Sequence, residues 1–254
     1  MRILITNDDG IDAIGIKTLA RWAQKLGEVT VVAPKKQQSG MSHSINITDA
    51  VEIKKLPAEG DYLGVHAVYY VDSTPADCVR FGISTLEETE GRFDLVLSGI
   101  NRGYNLGADI VYSGTAGAVF ESALFGRRSL AFSAHYRAVG EAADTPPVSE
   151  ESLDRVWAYI SDVQLLDRGM LYNINIPPAA GEITLTRQGG PFYRDVFRDI
   201  GGGMFKPEGV KVFQNRHDHT VDTDAVTDGL ISITPLLIDR TDSHLLAELW
   251  HDLG

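Results

Sequence analysis

Apolar residues in the first half of the chain fall into short runs separated by amphipathic stretches. "RILIT", "VTVVA" and "FDLVLS" are runs of strand length, the pattern of parallel strands covered on both faces. Ile16, Leu19, Ala20, Ala23 and Leu26 recur with a helical period, as do Ala116, Val119, Phe120, Ala123 and Leu124. Helices are therefore predicted over roughly 13–26, 75–86 and 115–125. Between the second run and the second helix, "INITDAVEIKKLP" and "HAVYYV" read as inserted strands. This alternation predicts an α/β fold: a Rossmann-like, doubly wound, mostly parallel sheet in three layers.

The second half is less regular. "HYRAVGEAADTPPVSEE", with Gly, two prolines and acidic residues, predicts a surface loop before a helix near 150–163. "MLYNINI", "ITLTRQ" and "LISITPL" read as strands, and an amphipathic helix is expected over roughly 243–252. From about 190 to 229 the chain is polar and Gly-rich, and the last 70 or so residues hold too few apolar side chains for a core of their own. The expected organisation is an α/β catalytic domain over 1–180 and, over 181–254, strands, a hairpin and a helix that pack on that domain and on a partner subunit.

Composition narrows the partners. A formal net charge of -12 argues against a nucleic-acid polymer as ligand, because binding one needs a basic face. Cys78 is the only cysteine, which excludes an internal disulfide and a thiolate metal cluster and matches a reducing compartment; its expected place is a small buried apolar position. No stretch reaches the ~18 apolar residues of a membrane span. A cytoplasmic protein is expected.

In open parallel sheets ligands bind beyond the carboxyl ends of the strands, which directs attention to the loops there. "TNDDG" places Asp8 beside Asp9, where two like charges at ~4 Å repel by about 1 kcal/mol in water and about 4 near a protein surface. The pair is either an ordinary Asn/Asp/Gly turn or half of a site for a hard cation such as Mg²⁺ or Mn²⁺. The segment "SGINRGYNLGADIVYSGTAGA" adds Asn101, whose neutral oxygen could join two carboxylates on a metal, and Asn105. Its end, Ser113, Gly114 and Thr115, opens a helix, and free amides at a helix start attract anions; a plain helix cap explains it equally well. Ser39 stands in "APKKQQSGMSHS" either as a metal-facing hydroxyl or as a loop serine, beside Lys35 and Lys36, which read as solvated. A cation site and an anion site at one sheet edge together suggest a bridging phosphate. The glycine signatures of dinucleotide and P-loop binders are absent. So is a carboxylate at the end of "FDLVLS", where a receiver domain carries its phosphate acceptor, and water is left as the nucleophile. His217 and His219, in H-x-H near Asp218, Asp222 and Asp224, read as a solvated loop or a zinc site; the other histidines show no telling spacing.

These stretches resemble the survival protein SurE family of metal-dependent 5'/3'-nucleotidases. The resemblance rests on "ILITNDDGI", "QSGMSHSI", "TPADCV", "DLVLSGINRGYNLGADIVYSGTAGA", "TRQG" and "TDAVTDGLISITPL", in the family's order along nearly the whole chain. It implies one divalent metal per subunit, Mg²⁺ or Mn²⁺, held by Asp8, Asp9, Ser39 and Asn101. It also implies phosphate contacts from Asn105, Ser113, Gly114 and Thr115. Asp8, Asp9 and Asn101 would then serve hydrolysis of nucleoside 5'-, and also 3'-, monophosphates in a homodimer or homotetramer that exchanges C-terminal segments. Ser73, Ala116 and Leu230 depart from the family's usual Gly, Val and aromatic residue, and none is an implied ligand. A non-enzymatic, metal-dependent binder of nucleotides or other phosphate ligands would need the same carboxylates, and turnover separates the two readings.

Overall fold

The structure, a computed structural model, describes residues 1–135 and 148–253. Most of the surface loop expected after "RSLAFSA" therefore lies outside the described residues. Chain order runs β1 (Arg2–Thr6), α1 (Ile14–Ala23), β2 (Glu28–Pro34), β3 (Ile53–Leu56), β4 (Ala67–Val71), α2 (Pro75–Phe81), α3 (Glu87–Glu90), β5 (Leu95–Arg102), α4 (Gly114–Leu124) and β6 (Arg128–Ala134). It continues with α5 (Glu150–Asp162), α6 (Leu165–Arg168), β7 (Leu171–Ile176), β8 (Ile183–Leu185), β9 (Tyr193–Gly201), β10 (Met204–Lys211), α7 (Asp222–Thr227), β11 (Ile231–Pro235) and α8 (Ser243–Leu253).

Nine strands form one sheet in the order β3-β4-β2-β1-β5-β6-β7-β11-β8. Only the β3–β4 and β7–β11 pairs are antiparallel. The apolar runs of β1, β2, β5, β6 and β7 are buried on both faces, as strands between two helix layers must be. On one face Trp22 of α1 packs edge-on against Phe132 of β6 and Trp157 of α5, and its Nε1 donates to Asp154 Oδ1 at 2.8 Å. The other face buries Leu4, Val96 and Ala118 with Cys78, which is fully buried as expected and whose thiol is pushed well up in pKa by that burial. From the C-terminal part of the chain, Ile231 and Ile233 of β11 join the main core. The polar, Gly-rich stretch folds into the β9–β10 hairpin, whose residues are all exposed.

Of the inserted run "INITDAVEIKKLP" only Ile53–Leu56 is a strand, and of "ITLTRQ" only Ile183–Leu185; three further elements also depart from the expected bounds. The helix expected over 75–86 becomes α2, one π-helical turn over Gly82–Leu86 and then α3. Gly82 permits this packing, since a Cβ there would lie 2.7 Å from Leu4 Cδ2. The helix expected over 13–26 is confined to α1, and the chain turns back at Gly27, where a Cβ would meet the Met1 carbonyl at 2.0 Å. The third difference bears on function: β5 does not end at Ser98 but runs to Arg102, because an irregularity between Ser98 and Asn101 lets pairing with β6 resume at Asn101↔Ser133. Gly99, at φ +131°, sits in that irregularity, where a Cβ would lie 2.3 Å from Phe132 O.

Candidate metal and phosphate site

The chain builds outward from β1 in one direction to β2 and β4, then returns to place β5 on the other side of β1. The strand order thus reverses between β1 and β5, which opens a crevice at their carboxyl ends. Register pairs Thr6 with Ser98, so Asp8 and Asp9 leave β1 beside the stretch that carries Asn101.

The turn reading of "NDDG" holds. Asn7 closes the turn itself, its Nδ2 donating to Gly10 O at 2.9 Å and its Oδ1 accepting from Gly10 N at 3.2 Å. Neither carboxylate is spent on that turn. Asp8 is 5% exposed, and its Oδ1 accepts the Thr115 hydroxyl at 2.6 Å. Burial pushes its carboxyl up to about 6; hydrogen bonding from Thr115 pulls against that and the neighbouring Asp9 charge adds to it. Asp9 is half-buried, with Oδ2 accepting the Arg102 amide at 3.0 Å and Oδ1 facing Gln37 Nε2 at 3.4 Å. Burial raises its pKa too, against the Arg102 amide and charge.

The same Gln37 amide donates to Ser39 Oγ at 2.8 Å, which links the exposed Ser39 to Asp9 through one side chain. Gln38 N donates to Asp8 O at 2.7 Å and holds this loop against the turn. Asn101 directs its Nδ2 to Gly103 O at 3.0 Å, which leaves its carbonyl oxygen as the end suited to a cation. Two carboxylates and a hydroxyl from two loops, and an amide oxygen from the end of β5, therefore lie at one edge of the sheet. This all-oxygen donor set fits a hard dication and is foreign to a soft one. It includes a carboxylate whose burial is unfavourable until a positive charge compensates it.

The anion side adjoins it directly. Ser113 caps α4, its Oγ accepting from Ala116 N at 3.0 Å, so the cap reading is correct as far as the side chain goes. Gly114 fits because nothing larger does: a Cβ there would lie 2.9 Å from Asp8 Cβ and 3.2 Å from Asp8 Oδ2. The first turn of α4 thus presents its positive end at the acidic pair. The Thr115 hydroxyl is engaged by Asp8, so any contact of Thr115 with an anion falls to its backbone. Asn105 lies farther along, its Nδ2 on Ser133 Oγ at 2.8 Å and its carbonyl held by the buried Asn173 and Asn175 at 2.7 and 3.0 Å.

Two contacts have no signal in the sequence. Gln37 ties Asp9 to Ser39, and His43 pins the same loop to α4 through Glu121, Nε2 to Oε2 at 2.6 Å. His217 and His219 do not form a zinc site with the nearby acids. Both rings bond Asp228 Oδ2, at 2.9 and 2.8 Å, and these bonds hold that carboxyl down at about 2. Among the described residues no group of three or more His, Cys, Asp and Glu is placed to hold a metal; the pair at 8 and 9 draws its remaining oxygens from Asn and Ser. Asp222 is buried and structural, its carboxylate accepting the amides of Gly107, Gly189 and Thr223.

The model of the family described as "Survival protein SurE" matches residues 3–195. The chain belongs to that family. A relative in Thermosipho melanesiensis named 5'-nucleotidase SurE is 36% identical over 98% of this chain and 96% of its own. One of the same name in Erythrobacter litoralis is 37% identical, covering 97% of each. The crystal structure of the SurE protein from Aquifex aeolicus superposes with a TM-score of 0.77 at 32% identity and covers both chains completely. The full-length match to that structure carries the α/β architecture. Among the described residues no helix is long and apolar enough to cross a membrane.

Proposed function

We propose that this member of the family is a divalent-metal-dependent phosphomonoesterase that hydrolyses nucleoside 5'-monophosphates to nucleoside and phosphate. The observation that carries this reading is the contact between Asp8 and the first turn of α4: a cation site and an anion site share one wall. The relatives' names supply the substrate class. Asp8, Asp9, Asn101 and Ser39 would hold one Mg²⁺ or Mn²⁺ per subunit. When bound, the ion supplies positive charge to a phosphate oxygen and lowers the pKa of a water.

The chain's own residues do the rest. Thr115 fixes Asp8 in place, and the Arg102 amide and Gln37 fix Asp9. Water adds to phosphorus in line as the ester P–O bond breaks, and charge on the equatorial oxygens meets the amide end of α4. Asn105 stands beside this path as a further phosphate contact. Action on 3'-phosphates follows if the same cradle accepts the ester from the other side of the sugar.

A homodimer or homotetramer fits the surface. Phe197 and Phe205 of the hairpin and Trp250 of α8 are 71%, 56% and 69% exposed, which is costly for an isolated subunit. Hydrolysis of a nucleoside monophosphate by the purified protein with Mn²⁺ or Mg²⁺, lost on chelation and lost in Asp9→Asn, is the expected result. Turnover that survives both overturns the mechanism; saturable nucleotide binding without phosphate release instead marks a binding protein.

A further inference from the structure

A cleft of about 950 Å³ opens beside the phosphate cradle, between the turn over Gly107–Tyr112 and the root of the β9–β10 hairpin. Its walls include Asp109, Val111, Tyr112, Tyr193, Asp195 and Gly209. We propose that this cleft is the nucleoside subsite: it takes the base against its tyrosine rings and the base's or sugar's hydrogen-bond donors on its carboxylates. The inference rests on the phosphomonoesterase reading for its phosphate end, and it names what lies beyond the phosphate.

Position is the first argument. Tyr112 directly precedes Ser113, the cap of α4, so their Cα atoms are about 3.8 Å apart. The wall is also tied to the metal-side loop, since Ser42 donates its hydroxyl to Val111 O at 2.6 Å and its amide to Tyr112 O at 3.0 Å. A group esterified to phosphate at the start of α4 therefore has the cleft as its neighbour. Chemistry is the second. Tyr112 and Tyr193 are 66% and 54% exposed, and exposed aromatic rings stack on bases of any identity. Carboxylates accept hydrogen bonds and donate none when ionised, which matches ribose hydroxyls and exocyclic amines; Arg194, in the same wall, adds a donor for base or sugar oxygens.

Construction is the third. Asp109 Oδ2 accepts the amides of Phe192 and Tyr193 at 3.1 and 3.0 Å, so the hairpin root is fastened to the same turn that leads into the cradle. Gly209 keeps the hairpin side of the cleft open: a Cβ there would come to rest 3.4 Å from Asp195 Oδ1 and 3.9 Å from Tyr193 Cδ1, filling space without a clash.

The test compares Tyr112→Ala and Gly209→Val with the wild type on a purine nucleoside 5'-monophosphate and on glycerol 2-phosphate, which has no base. The ratio of kcat/KM for the two substrates should fall at least tenfold in each variant, carried mainly by KM for the nucleotide. Adenosine binding, followed by calorimetry without turnover, should weaken by a similar factor. An unchanged ratio, or adenosine that binds variants and wild type alike or not at all, overturns the subsite. If the wild type hydrolyses neither ester, the phosphomonoesterase reading fails instead, and adenosine binding still decides the cleft.

Discussion

At the level of single residues, the contact between Gly114 and Asp8 has the least slack. Alanine is a better helix residue than glycine, but at Gly114 its Cβ would lie 2.9 Å from Asp8 Cβ and 3.3 Å from Pro75 Cγ in a buried place, so Gly114→Ala should lower the thermal unfolding temperature. The same clash pushes the Asp8 carboxylate aside. Misplacement on that scale costs about 10²-fold in rate; stability and kcat/KM measured together at a temperature where the variant is folded should show the second falling by far the larger factor. Thr115→Val keeps shape and removes the hydroxyl that Asp8 accepts. A hydrogen bond to a charged group contributes about 1.5–3 kcal/mol, so Mn²⁺ affinity by calorimetry should fall at least tenfold while the fold survives. Asp8, Asp9 and Asn101 were legible as candidates because a strand end and residue chemistry suffice to find them. Gln37 was not: its role is to connect two loops, and nothing along the chain records which loops meet.

Among the elements, α3 is held to the start of β6 by Glu87, which accepts Arg127 Nε at 3.0 Å and Nη2 at 2.5 Å and also accepts the Phe93 amide at 2.9 Å. Burial pushes the Glu87 carboxyl up, and the Arg127 fork with the Phe93 amide more than offsets this and holds it below the usual range. A folded-state pKa below the unfolded 4.5 contributes stability that is present above 4.5 and lost as pH falls through the folded value. Glu87→Gln should therefore lower stability at pH 7 by on the order of 2 kcal/mol, and the gap to the wild type should shrink as pH falls below 4.5, as thermal melts at neutral and acid pH would show. The β5 extension shows why element ends were read short. "FDLVLS" stops being apolar at Ser98, yet the backbone continues its ladder to Arg102 past an irregularity that Gly99 alone permits. The apolar run marked where burial stopped, and the strand did not stop there.

For the molecule as a whole, the α/β sheet was readable because each central strand is buried on both faces and so leaves an unbroken apolar run. The hairpin is the opposite case. Every residue of β9 and β10 is exposed in the single chain, so its strands carry no inside-outside alternation against this subunit's core. If α8 is exchanged between subunits, removing residues 243–254 should shift the protein toward monomer in sedimentation with the sheet intact by circular dichroism. An unchanged assembly refutes that role.

The pairing of β1 with β5 joins Thr6 to Ser98, and Asp8 gains Thr115 only once α4 has formed. On a ribosome adding about 5–20 residues per second, the acidic pair therefore emerges several seconds before Arg102 and Thr115, the partners that fix its carboxylates. In a nascent or truncated chain the two aspartates stay hydrated and ordinary. Chemical competence arrives in one step, when the sheet closes across its own middle, so an unfinished copy has no means of attacking the cell's nucleotides.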